Sequence, residues 1–138
     1  MPVSEPVLNT PATGETHSYG NGSSAEIVVS GKESNGDYAV IRYHVKPGDE
    51  PPMHTHSRED EMVYVVEGEI TAIVGDAKVD VGPGAFAALP RGIAHTIKVK
   101  GDSATLMLTV VPAGVERFFV PVTKDDEDPA TFGLEINA

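Results

Sequence analysis

Four side chains in this sequence are of types that bind transition metals and are spaced so that they can meet: His54, His56, Glu61 and His95. The first two form an H-x-H pair. On an extended strand residues i and i+2 point to the same face, so both imidazoles reach one point. Glu61 follows a short polar loop, and His95 follows a second turn marked by proline and glycine. Imidazole nitrogen with carboxylate oxygen suits one divalent first-row ion, and iron, manganese, nickel, cobalt, copper and zinc are all compatible. Such an ion acidifies bound water or hydroxyl and polarises a carbonyl. A carboxylate within hydrogen-bond reach is a competent base. Glu61 can therefore ligate such an ion, or swing free and act as the catalytic base.

The neighbouring polar residues read more plainly. Glu59 and Asp60 stand beside Glu61, but spacing and the parity that Glu61 shares with Val63 and Val65 select Glu61. Glu59 and Asp60 are expected on an exposed loop. His44 reads as a rim or surface histidine on a strand face with Val40 and Arg42, and His17 is given no role. Arg42, Arg58, Arg91 and Arg117 are expected to be solvated. Met53, Phe86, Phe118 and Phe119 suit either a pocket or the core, and the sequence does not separate those roles.

A framework must hold these groups, and the chain supplies short runs rich in Val, Ile, Thr and Tyr: Ala25 to Ser30, Tyr38 to Val45, Met62 to Val66, Ile70 to Val74, Lys78 to Val81, Ala85 to Ala88, His95 to Val99 and Thr105 to Val111. Turn signals such as Ser34-Asn35-Gly36-Asp37, Glu67-Gly68 and Pro90-Arg91-Gly92 separate them. Many short strands so punctuated argue for an antiparallel barrel or sandwich. Gly114 to Phe119 can make one helical turn after Pro112. The chain divides into an extended arm over residues 1–24, a barrel over 25–120, and a charged tail over 121–138 that packs on the barrel or leaves it. Glu61, Val63 and Val65 alternate with Met62, Tyr64 and Val66, so that strand is apolar on both faces. Strands of that kind are usually covered on both faces, which predicts a homodimer.

The spacing of the ligand-type residues resembles a known family. Gly48, five residues, His54-Thr55-His56, four residues, Glu61, six residues and Gly68 resemble the first cupin motif. Gly84, five residues, Pro90-Arg91-Gly92, two residues and His95 resemble the second. The resemblance covers residues 38–111. It implies an all-β chain folded as a cupin double-stranded β-helix, a jelly-roll barrel in a single domain, with His54, His56, Glu61 and His95 as the metal ligands. One position departs: the second motif usually ends in Asn four residues after its His, and Val99 stands there. By alternation His95, Ile97 and Val99 face the interior, so the wall becomes more apolar and favours a flat or apolar organic substrate over a sugar. Met53, Val63, Val65, Phe86, Ile97 and Val99 are the candidate substrate-pocket residues.

Among cupins the arrangement is most similar to the quercetinase-like small dioxygenases, a likeness that extends through Pro112-Ala113-Gly114-Val115-Glu116-Arg117-Phe118-Phe119. That resemblance implies oxidative C–C cleavage of an enolised or aromatic small molecule bound to the metal through oxygen, with dioxygen as co-substrate. The same ligands serve non-oxidative isomerases, lyases and polyketide cyclases, and some cupins bind small molecules without turning them over. Catalysis is favoured over binding alone.

Composition narrows the field. A chain of 138 residues is one domain by length. With 10 Lys plus Arg against 21 Asp plus Glu, a formal charge of −11 and no basic stretch, neither nucleic acid nor an anionic membrane is an expected partner. The absence of cysteine excludes disulfides and thiolate ligands and fits a reducing compartment. The N-terminus lacks signal-peptide features and no apolar run approaches the ~20 residues of a membrane helix, so a cytoplasmic location is expected. There is no P-loop, dinucleotide fingerprint or G-x-S-x-G elbow, and no covalent nucleophile is indicated.

Overall fold

Alternation governs how the strands pack. Along Ala39–Val45 every second residue is buried, and the residues between are half-buried. Ala104–Val111 repeats the pattern with Leu106, Leu108 and Val110 inward. A strand with one face on a core produces this period of two. The computed structural model describes residues 5–10, 14–119 and 134–136. Their strands are β1 (Glu15–Tyr19), β2 (Ser23–Val29), β3 (Ala39–Val45), β4 (His54–His56), β5 (Asp60–Glu67), β6 (Ile70–Val74), β7 (Ala77–Val81), β8 (Phe86–Leu89), β9 (His95–Val99), β10 (Ala104–Val111) and β11 (Leu134–Ile136). A 3-10 turn, Val115–Phe119, follows β10.

All ladders are antiparallel. One sheet runs β1-β2-β3-β10-β5-β8 and the other β11-β4-β9-β6-β7. The main core lies between them, where Ile41, Val45, Val65, Ile70 and Leu106 are each at most 2% exposed. Each such side chain contributes about 1.5–3 kcal/mol relative to leaving it in water. The jelly-roll architecture expected from the motifs is thus the one found. Among the described residues, no helix is long and apolar enough to cross a membrane.

Three expectations need correction or placement. Within the arm expected over residues 1–24, residues 15–19 form β1, which pairs with β2 from Glu15↔Ile27 to Tyr19↔Ser23. Side-chain contacts within the same sheet and from the preceding segment hold it there. Tyr19 stacks on Tyr43 with ring centroids 6.2 Å apart, and the buried Glu26 carboxylate accepts hydrogen bonds from Asn9 Nδ2 at 3.0 Å and Gly14 N at 2.9 Å. Arg42 is not simply solvated, because its guanidinium lies 2.5 Å from that same Glu26 carboxylate. The tail over 121–138 lies outside the described residues except for β11. That strand pairs with β4, placing Leu134 opposite His56 and Ile136 opposite His54.

Two turns aim the site. Gly68, between β5 and β6, has φ +84°, and a Cβ there would lie 2.4 Å from the Ser103 carbonyl oxygen. Glycine meets both constraints at once. Gly92 also has a φ of +84°, and its N–H donates to the His56 carbonyl at 2.8 Å. This bond ties the turn that precedes His95 to the strand that carries the H-x-H pair.

Candidate metal centre

His54 on β4 stands directly opposite His95 on β9. His56 follows on the same face of β4, so one sheet contributes three imidazoles. Glu61 arrives from the other sheet, on β5, between Val110 of β10 and Leu89 of β8. The ligand atoms of the four residues lie within 4.8 Å of one another. His56, Glu61 and His95 are 5%, 8% and 4% exposed, and His54 is the half-buried member.

Each imidazole is oriented through Nδ1. His54 Nδ1 donates to the Pro52 carbonyl at 2.7 Å and His95 Nδ1 to the Ile93 carbonyl at 3.3 Å. A carbonyl only accepts, so the proton sits on Nδ1 and the Nε2 lone pair faces the cluster. His56 Nδ1 lies 2.7 Å from Glu59 Oε1. Glu61 Oε2 lies 2.9 Å from His95 Nε2 and 3.3 Å from His56 Nε2. Neither contact is aligned as a hydrogen bond, so both buried Nε2 atoms have the Glu61 carboxylate beside them but no hydrogen-bond partner. A buried polar atom left unsatisfied costs about 1–3 kcal/mol. Two such nitrogens converging with a carboxylate fit a divalent ion that prefers nitrogen and oxygen donors.

The charges are tuned by one another. Burial pushes the Glu61 carboxyl up, but the His56 and His95 imidazoles outweigh it and bring its pKa down to about 2. For His56, burial works downward, while the Glu59 and Glu61 carboxylates prevail and raise it to about 9. His54 shifts down, with burial the leading cause. Burial likewise pushes the Tyr43 phenol far up, keeping it neutral beside the site.

Glu59 overturns an expectation. Rather than lying on an exposed loop, it is 2% exposed and its carboxylate holds His56. The signal was its position three residues after a ligand-type histidine, since metal-binding imidazoles commonly give their other N–H to a carboxylate. Asp60 does face solvent, its side chain 47% exposed beside Arg91 Nε at 3.2 Å. His44 lies on the half-buried face of β3, with Nδ1 3.0 Å from Thr105 Oγ1.

The cluster opens on a cavity of about 320 Å³ whose wall is almost wholly apolar, with Ile41, Leu106 and Leu108 from one sheet and Ile97 and Ile136 from the other. Of the candidate substrate-pocket residues, Val63 and Ile97 line it. Val65 and Phe86 border a second cavity instead. Phe86 is 65% exposed, because the parity that turns Leu89 inward turns Phe86 outward. Met53 and Val99 line neither cavity. Met53 has the opposite parity to His54, and Val99 packs on the core at the far end of β9, its N–H donating to Glu50 at 2.9 Å. Ile136 escaped sequence reading because nothing local marks a strand that docks across β4.

Comparison with known proteins agrees with the geometry. Quercetin 2,3-dioxygenase of Bacillus subtilis (strain 168) is 26% identical over 93 residues, covering 67% of this chain and 28% of that protein. The chain thus spans little more than a quarter of the curated relative it matches. A RmlC-like cupin from Shewanella frigidimarina NCIMB 400 has a TM-score of 0.68 at 21% identity, covering 80% of this chain and 95% of that one. KdgF from Halomonas sp. has a TM-score of 0.66 at 18% identity, covering 75% and 92%. Both structural likenesses concern the fold. The family model described as Cupin domain matches residues 41–112, more than half of the chain, from within β3 to just past β10. Both barrel sheets and all four clustered side chains draw on that span, and the chain belongs to the cupin family.

Proposed function

We propose that this cupin is an enzyme that holds one divalent transition-metal ion on His54, His56, Glu61 and His95 and cleaves an enolised or aromatic small organic substrate with dioxygen. The carrying observation is the pair of buried Nε2 atoms, without a hydrogen-bond partner, that meet the Glu61 carboxylate at the end of an apolar cavity. When bound, the ion supplies Lewis acidity and coordination positions for an oxygen-bearing substrate. Both oxygen atoms of dioxygen enter the products of such a cleavage, so no external reductant is required. The likeness to quercetin 2,3-dioxygenase supports the oxidative version of this reading.

The chain's own groups have distinct tasks. The Pro52 and Ile93 carbonyls and the Glu59 carboxylate hold the three rings in orientation, so little reorganisation is left for binding. Glu61 is ionised at neutral pH and stands ready to accept the proton of an enol or phenol. Val63, Ile97 and Leu108 seat an apolar body and exclude water from the reacting end.

Elemental analysis of purified protein and of a His54→Ala variant tests the centre: wild type carries about one metal per chain and the variant loses it. Aerobic and anaerobic incubation of metal-loaded protein with flavonols and 1,3-diketones tests the chemistry. Dioxygen uptake matched to substrate loss supports the reading. Turnover that proceeds equally without dioxygen would replace it with a non-oxidative isomerase or lyase, and saturable binding with no product would replace it with a binding role.

A further inference from the structure

Beside the cavity at the metal cluster lies a second one, of about 240 Å³, bounded by β5 and β8 of one sheet and β6, β7 and β9 of the other. Val63, Leu89, Thr96 and Ile97 line both, so the two chambers are neighbours divided by those side chains. Thr96 presents no free hydroxyl donor to either, because its Oγ1 already donates to the Pro51 carbonyl at 2.6 Å. The second chamber is apolar beyond that partition, and no charged side chain lines it. Ala72, Ala77, Ala85 and Ala87 stand where larger aliphatic side chains would close the space. The chamber opens to solvent at its outer edge, where Val79 is 54% and Phe86 65% exposed, and apolar wall left in water gains by covering itself with an apolar guest. The chamber also lies where β7 and β8, the terminal strands of their two sheets, face each other.

We infer that this second chamber receives the apolar arm of an elongated substrate whose oxygen-bearing head lies at His54, His56, Glu61 and His95. The substrate class is an enolisable 1,3-dicarbonyl or related oxygen chelator that carries an alkyl chain of several carbons. This rests on the metal-centre reading above and extends it. The head is set by the polar cluster in the first chamber, and the tail by the apolar wall that both chambers share at Val63 and Ile97. A compact polar substrate would leave the second chamber unused and gain nothing from its alanines.

The test uses cobalt-loaded protein and a series of straight-chain hydroxamates from acetyl through butanoyl, hexanoyl and octanoyl to decanoyl. The visible spectrum of cobalt reports the head group, and calorimetric affinity reports the tail. Binding is expected to tighten by about fourfold for each methylene buried until the chamber is filled, and then to level off. Ala72→Leu and Ala87→Leu each fill the chamber from a different sheet. In either variant acetohydroxamate binding should stay within about twofold of wild type, while octanohydroxamate binding falls at least tenfold. Retained acetohydroxamate binding shows that a variant is folded, and two variants guard against one that is not. A spectrum that responds to acetohydroxamate, with affinity flat along the series or unaffected by both substitutions, overturns the two-chamber inference and leaves the metal centre standing. A spectrum that responds to no hydroxamate overturns the metal-centre reading and this inference with it.

Discussion

Replacing Glu59 by glutamine keeps the shape of the side chain and removes its charge from the ring nitrogen 2.7 Å away. Two opposite effects on metal affinity follow. The carboxylate makes His56 a stronger donor to an ion, and loss of such an outer partner typically lowers metal affinity by about 10–100-fold. Glu59 is also one of two carboxylates that, against burial, raise the His56 pKa to about 9, so a proton competes with the metal at neutral pH. From pH 7 to a pKa of about 9 that competition amounts to about two pH units, or roughly a hundredfold in affinity. Glu59→Gln relieves part of it. The defect should therefore be partly masked at pH 7 and reach its full size near pH 9, where the wild-type ring gives up its proton without metal. Competition against a chromophoric chelator at both pH values measures it. The wild-type to variant affinity ratio should grow on going from pH 7 to pH 9. A ratio that is the same at both, or no loss at pH 9, would refute the assignment of Glu59 as the carboxylate that tunes His56.

The metal-free protein has its own pH dependence. The raised pKa of His56 contributes stability that is fully present below about 6.5 and is lost as pH rises through about 9. The lowered pKa of Glu61 contributes stability present above about 4.5 and lost as pH falls toward about 2. Thermal unfolding of metal-free protein should peak between those limits and fall by several degrees at pH 9, while added metal reverses the alkaline loss. On the outward face of β5 and β8, Tyr64, Val66 and Phe86 are 44%, 46% and 65% exposed. We propose that this apolar stripe is the seam of a homodimer, for which light scattering should give twice the chain mass and Val66→Glu the monomer. A monomeric wild type at micromolar concentration would remove the proposal.

Much of the barrel could be read from the chain because strand periodicity is local. The alternation in Ala39–Val45 and Ala104–Val111 dictates which side chains turn inward before any partner strand is known. Parity and motif spacing likewise turn His54, His56, Glu61 and His95 toward the interior, and the structure gathers them from two sheets within 4.8 Å. Which groups meet across the interior is a different matter. Glu59 lies beside His56 because the connection between β4 and β5 turns its carboxylate back onto the ring, and Glu26 meets Arg42 across a ladder. Ile136 reaches the site only because β11 docks on β4 from the far end of the chain. The division of the interior into two chambers is likewise a property of the tertiary structure. It depends on how far the two sheets stand apart and on which small residues face each other across that gap, distances that no single strand encodes.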